Sequence, residues 1–272
     1  MARFSKLDFG NEALDANLLD PHMSQPAEPF AVEVDPFYME DLRQMARAVN
    51  YQRWQFQMVA PYLGGEVLEV GGGIGNFTPQ IASVARHVTS LEPNEYCFGQ
   101  LREKIASVPN AVAVRATVES LRSAISPDKK FDAVVLMNVL EHIKDDRGVL
   151  AELQQYLVPG GRIVVLVPAG QWAFGQTDLR LGHYRRYAKG YARSLVAGLG
   201  LELEKLRYYN FVGIWGWWWN ARFARRESQS DAQIRLFDGW IVPVLSRLEN
   251  WIAPPLGQSL LFVARVPRGG KT

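Results

Sequence analysis

Short runs of β-branched and aliphatic residues alternate with longer stretches of mixed polarity through the middle of the chain, and that rhythm predicts strands separated by helices. Strands are expected over residues 67–70, His87–Leu91, 111–115, Phe131–Met137 and 162–167, with helices between them reaching Arg86, about Ser107 and Tyr156. Apolar strands joined by helices form a parallel sheet covered on both faces, the α/β class. Turn signals fall between the elements: Pro127-Asp128 ahead of the fourth strand and Pro159-Gly160-Gly161 ahead of the fifth. Upstream, Tyr38, Leu42, Met45 and Val49 recur at i, i+4, i+7 and i+11, the stripe of an amphipathic helix, and Trp54 and Met58 belong to a second helical stretch ending near Pro61. These aromatic and methionine positions read as core.

Before residue 36, Pro21, Pro26 and Pro29 interrupt any helix, so residues 1–50 are expected to form an arm and a helix ahead of a domain spanning 51–272. After the fifth strand, residues 201–210 and 259–266 both read as strands, yet about 48 residues separate them. A hairpin needs only a few. A helical insertion at about 213–257 is therefore expected, acting as a cap over the sheet's edge together with part of the arm.

Composition narrows the partner. The 272 residues are 48% hydrophobic and 21% charged, an ordinary globular balance, and Lys+Arg 30 against Asp+Glu 28 leaves a net charge of +2. That is too little for a chain whose task is to neutralise nucleic-acid phosphates, so the expected partner is a small molecule and not a nucleic acid. The lone cysteine, Cys97, has no internal disulfide partner, and the four histidines stand far apart without zinc-type spacing, so no metal is expected. A reducing, cytoplasmic location fits. The first residues lack the apolar core of a secretory signal, and the densest apolar run, residues 211–219, is far shorter than the roughly 20 residues a bilayer span needs.

The most informative stretch is Glu69-Val70-Gly71-Gly72-Gly73-Ile74-Gly75-Asn76-Phe77-Thr78, at the end of the first expected strand. Glycines permit positive φ and let a ligand approach bare backbone, while a helix starting behind them offers unpaired N–H groups. Counted from Gly71, the dinucleotide fingerprint G-x-G-x-x-G would end on Asn76, and no Gly-Lys-Ser/Thr follows for a phosphate loop. A carboxylate at Glu69 suits a ligand with an ammonium group and would repel a pyrophosphate. Glu92 ends the next strand, where an acidic side chain can accept hydrogen bonds from both hydroxyls of a ribose.

With Glu69-x-Gly71-x-Gly73-x-Gly75 followed by Glu92, the chain resembles the class I S-adenosylmethionine-dependent methyltransferases over about residues 51–266. The resemblance implies a Rossmann-like seven-stranded sheet, helices on both faces, the last strand antiparallel, and S-adenosyl-L-methionine as cofactor. It implies that Thr117 stands where the family commonly carries an Asp beside the adenine amino group. Within Asn138-Val139-Leu140-Glu141-His142, it implies that Asn138 and Val139 lie beside the methionine part of the cofactor and His142 near the transferable methyl. The segment Gly182-His183-Tyr184-Arg185-Arg186-Tyr187 is similar to a subgroup of these enzymes, many of which act in glycan or secondary-metabolite pathways.

The chemistry such a cofactor demands is alignment, exclusion of water and, for a hydroxyl acceptor, removal of one proton. Imidazole ionises near neutral pH, which makes His183 and His142 the candidate bases. Arg185 or Arg186 could bind an acidic acceptor or belong to a stacked Tyr–Arg cluster. The expected reaction is O-methylation of a small hydroxylated metabolite or sugar. N-methylation, nicotinamide-dependent redox chemistry and non-catalytic nucleoside binding are the alternatives. Trp215, Trp217, Trp218 and Trp219, followed by Arg222, Arg225 and Arg226, fit an acceptor cap, a homodimer contact, a membrane-interface patch or plain core packing.

Overall fold

Strands Glu66–Val70 (β1), His87–Leu91 (β2), Ala111–Val114 (β3), Phe131–Met137 (β4), Leu157–Pro168 (β5), Glu202–Tyr209 (β6) and Ser259–Arg265 (β7) form one sheet in the order β3-β2-β1-β4-β5-β7-β6. Pairings among β1 to β5 are parallel, while β7 runs antiparallel to both β5 and β6. The architecture comes from a computed structural model that describes residues 36–126, 128–214 and 236–268. It is the seven-stranded mixed sheet expected from the sequence, with the last strand reversed.

The centre of the sheet is apolar on both faces because successive side chains of a strand point to opposite sides. Leu68, Leu136, Val165 and Phe262 pack on one face with Leu140, Leu150 and Tyr187. Val67, Val135, Val164 and Val263 pack on the other with Trp54, Met58 and Ile81. The helices around the sheet are Pro36–Arg47 (α1), Val49–Val59 (α2), Thr78–Ala82 (α3), Glu95–Ile105 (α4), Leu121–Ala124 (α5), Asp146–Gln154 (α6), Gln176–Arg180 (α7) and Lys189–Gly198 (α8), of which α2, α3, α5, α6 and α8 supply partners to these two clusters. Two of them start on an acidic or amide cap: Asn94 accepts the Cys97 N–H at 3.0 Å and Asp145 the Gly148 N–H at 2.8 Å.

Two expectations shift. The helix after the glycine turn is a single short piece, because the turn holds the chain out of helical form as far as Phe77. The fifth strand starts earlier than its turn signal suggests. β5 takes Pro159-Gly160-Gly161 inside its span, where Gly160 sits at φ 82° and the register jumps from Phe131 opposite Leu157 to Ala133 opposite Arg162. Pro127, half of the other expected turn, lies outside the described residues.

Between β6 and β7 the described part of the insertion is helical, a π-helical turn Phe237–Ile241 running into Val242–Trp251 (α9). It docks on α2: Asp238 accepts the backbone N–H groups of Asn50 at 3.1 Å and Tyr51 at 2.8 Å. Glu249 accepts those of Asn210 and Phe211, both at 2.8 Å, and so fixes the end of β6. The four clustered tryptophans, Arg222, Arg225, Arg226 and the arm before residue 36 lie outside the described residues. Among the described residues, no helix is long and apolar enough to cross a membrane.

Phe262 is fully buried at the centre of β7, between β5 and β6. Phe262→Ala should lower unfolding stability by about 3–5 kcal/mol in chemical denaturation. A loss below about 1 kcal/mol, no more than a volume-conserving swap, would contradict this packing.

Candidate functional site

A cavity of about 810 Å³ opens over the carboxyl ends of the parallel strands. That is where open α/β sheets bind ligands, because loops after successive strands diverge there. Its walls come from Gly71–Gly73 after β1, Glu92 after β2, Ala116–Glu119 after β3, Met137–Val139 and Glu141–Ile143 at the end of β4 and beyond it, and Arg180–His183 at the end of α7.

The glycine turn folds back on the end of β2. The N–H groups of Gly71 and Gly72 both donate to the Leu91 carbonyl, at 2.9 and 2.8 Å. Gly71 sits at φ 74°, and a Cβ there would stand 2.5 Å from Val139 Cγ2; at Gly72 it would stand 2.2 Å from Ser90 Oγ. Side chains are therefore excluded, and backbone forms the wall. Gly73 N–H donates to Glu92 Oε2 at 2.8 Å, and Asn94 N–H donates to Glu92 Oε1 at 2.9 Å. Burial pushes the Glu92 carboxyl up to about 7, against the pull of those two donors. Each of its oxygens keeps a second acceptor position.

The remaining nominated positions divide. Thr117 lines the cavity, and its hydroxyl also accepts the Ser120 N–H at 3.2 Å, a local turn ahead of α5. Asn138 and Val139 line it too, and Asn138 holds φ 55°, a left-handed backbone that Asn tolerates better than most residues. Glu69 and Gly75 lie behind the wall. Glu69 Oε2 accepts the hydroxyls of Thr78 and Ser90, both at 2.6 Å, and a Cβ on Gly75 would meet Lys104 and Leu101 rather than the cavity. Nor do Tyr38, Leu42 and Met45 belong to the core: with Asp41 they bring one face of α1 onto the cavity, while Val49 is exposed. None of residues 236–257 lines it, whereas Gln258 and Ser259 do.

The other end brings together what the sequence holds 41 residues apart. The rings of His142 and His183 meet edge to face with centroids 4.6 Å apart, and Tyr38 lies edge-on to His142 at 5.8 Å. His183 Nδ1 is 2.9 Å from Asp178 Oδ1, which also accepts Arg186 Nε at 2.8 Å, while Asp178 Oδ2 accepts the Gly175 N–H at 2.9 Å. Burial alone would raise the Asp178 carboxyl, but the bonds from His183 and Arg186 hold it below the usual range. Burial pushes His142 down to about 4, with His183 adding to the effect. Glu141 is fully buried, neither carboxylate oxygen bonds to another described residue, and burial raises it to about 8 against the pull of its own backbone N–H.

The two arginines separate. Arg185 is held by Asp146 at 2.7 Å and the Lys144 carbonyl at 2.6 Å, away from the cavity; Arg186 lines it. Tyr187, fully buried, donates to Asp146 at 2.9 Å and sits within 3.2 Å of the Leu140 carbonyl, pinning the His183 loop to the turn after β4. Gly72, Glu141, Asp178 and Asp41 were not nominated from sequence. Asp178 had a readable signal, five residues before His183 with Gly182 between them able to take φ 75° and fold the loop back.

Residues 38–224 match a family described as a methyltransferase domain. Among curated relatives, the demethylmenaquinone methyltransferase of Clavibacter sepedonicus is 28% identical over 164 residues, 59% of this chain and 64% of that protein. The ubiquinone biosynthesis O-methyltransferase of Xylella fastidiosa is 29% identical over 107 residues, 39% of this chain and 42% of its own. The chain thus covers less than two thirds of the length of these relatives. The fold is shared with an S-adenosylmethionine dependent methyltransferase from Mesorhizobium loti, at TM-score 0.52 and 18% identity, covering 78% of this chain and 95% of that one.

Glu92 makes the site's electrostatics testable. Its folded-state value, about 7, stands above the ordinary 4.5. Between those values the folded chain holds more protons than the unfolded one, so Glu92 contributes stability that is full below pH 4.5 and lost as pH rises through about 7. In ligand-free protein, Glu92→Gln should flatten the fall of stability across that window in pH-dependent thermal unfolding. A slope identical to wild type would contradict this burial.

Proposed function

We propose that the protein, which belongs to this methyltransferase-domain family, is an S-adenosyl-L-methionine-dependent methyltransferase acting on a small hydroxylated acceptor. The observation that carries the reading is one continuous cavity, with a bare-backbone cradle and a buried carboxylate at one end and an imidazole pair at the other. The cradle fits the cofactor: side chains are excluded at Gly71 and Gly72, and Glu92 offers acceptor positions for ribose hydroxyls. Thr117 would sit beside the adenine, and Asn138 and Val139 beside the methionine part. When bound, the cofactor supplies a methyl group made electrophilic by its sulfonium.

What this chain adds is placement and proton handling. α1 covers the cavity with Tyr38, Leu42 and Met45 and so restricts water near the reacting atoms. His183 is the better base. Asp178 accepts from Nδ1–H, which fixes the tautomer and leaves Nε2 free to take the acceptor's hydroxyl proton. His142, neutral across the physiological range, donates toward the backbone carbonyls of Leu181 and Gly182 and positions the loop that carries His183. The quinone-pathway names of two relatives favour an aromatic hydroxyl over a sugar. They also favour a second reading, in which the ionised hydroxyl activates a neighbouring ring carbon toward the methyl. Removal of the same proton starts both.

A panel of hydroxylated aromatic acceptors, assayed with labelled cofactor, tests this. His183→Ala should lower kcat by about 10²–10⁴ while leaving affinity for S-adenosylhomocysteine unchanged. Near-full turnover in His183→Ala would remove His183 from the reaction. Loss of cofactor binding in wild type would remove the methyltransferase reading itself.

A further inference from the structure

Beyond proton transfer, the end of the cavity opposite the glycine turn carries a donor set with a different capacity. One ligand atom each from Glu141, His142 and His183 can be chosen so that all three lie within 4.8 Å of one another. Zinc–nitrogen and zinc–oxygen distances of about 2.0–2.2 Å place ligand atoms of a tetrahedron about 3.4 Å apart. Side-chain rotations of about an ångström close that gap.

Three independent features favour a cation there. First, Glu141 is fully buried with neither carboxylate oxygen bonded to any other described residue, although a buried carboxylate ordinarily has several donors. Arg186 acts on it as a nearby charge without a hydrogen bond to it. Second, His183 already has the outer support that metal-binding histidines use, Asp178 Oδ1 at 2.9 Å from Nδ1, which holds one tautomer and leaves Nε2 as the ring's ligand atom. Third, His142 is oriented by the carbonyls of Leu181 and Gly182, which leaves its other ring nitrogen for a ligand. Asp41 and Asp178 add negative charge around the group, against Arg180 and Arg186.

We infer that Glu141, His142 and His183 form a divalent transition-metal site at the acceptor end of the cavity. Two imidazoles and one carboxylate suit Zn²⁺, Fe²⁺, Co²⁺ or Mn²⁺ and not Mg²⁺ or Ca²⁺, which favour all-oxygen shells. The consequence rests on the methyltransferase reading and deepens it. A cation here would attract an acceptor with adjacent oxygens, such as a catechol or hydroxyquinol, and lower the pKa of its hydroxyl. The hydroxyl proton would then pass to water before methyl transfer, with His183 as a ligand; without the cation it passes to His183. The acceptor class becomes a chelating one.

The test uses the full chain, freed of metal by a chelator, and Co²⁺ as the probe. Titration followed by visible absorption and by calorimetry should show one ion per chain. Binding should weaken at least tenfold in Glu141→Gln, His142→Ala and His183→Ala, and stay at the wild-type value in His87→Ala, whose ring is exposed beside Glu66. Affinity for S-adenosylhomocysteine, measured on each variant, shows whether the fold and the nucleoside end are intact. Absence of Co²⁺ binding in wild type, or binding that survives all three substitutions, overturns the metal site and leaves the methyltransferase reading standing. Co²⁺ binding without S-adenosylhomocysteine binding supports the site and overturns that reading instead.

Discussion

Carboxylates buried at the carboxyl edge of the sheet hold the turn after β1, and everything functional is arranged around that turn. Removing a carboxylate from water is expensive unless donors replace the lost hydration. Glu69 meets the demand from below, with Thr78 and Ser90 fastening the start of α3 and the end of β2 to β1. Glu92 meets half of it from above, through Gly73 N–H and Asn94 N–H. The Leu91 carbonyl gathers the N–H groups of Gly71 and Gly72 between the two acids, so the backbone has no freedom to admit a side chain.

Read across the cavity, the glutamates differ in how completely they are satisfied, and the difference tracks the work each position can do. Glu69, with two short hydroxyl bonds and no face on the cavity, is scaffold. Glu92 faces the cavity with acceptor positions to spare and a carboxyl held up to about 7, and ribose hydroxyls would complete its shell. Glu141 has no hydrogen bond to any other described residue and stands beside two imidazoles. Such a group carries a desolvation penalty that a bound ligand would relieve. Asp178 is the counter-example within a few ångströms: fully partnered by His183, Arg186 and Gly175, it is held ionised and serves to orient.

The strands were legible because their signal is local. His87–Leu91 and Phe131–Met137 appear with the limits their apolar runs suggest, and the glycine spacing pointed to a turn that bears no side chains. What escaped was set by tertiary contact. The α1 stripe of Tyr38, Leu42 and Met45 has the same period whether it faces a core or a cavity, and periodicity cannot distinguish the two. Glu69, nominated for a ligand's ammonium group, turns inward because Thr78 and Ser90 reach it first. The histidines gave no metal-type spacing along the chain, since His142 follows β4 and His183 follows α7, and only the fold brings their rings to 4.6 Å. Glu141 was in view within Asn138-Val139-Leu140-Glu141-His142, but nothing local marks a glutamate as buried and unpartnered.

In the proposed reaction one cavity orders a nucleoside and a reacting methyl between the glycine turn and the His142–His183 pair. A crystal structure of the protein with S-adenosylhomocysteine tests it most directly. Ribose hydroxyls are expected on Glu92, the adenine beside Thr117, and the sulfur opening toward the chamber walled by Glu141, His142 and His183. A nucleoside bound elsewhere, or a sulfur directed away from the two imidazoles, would contradict it.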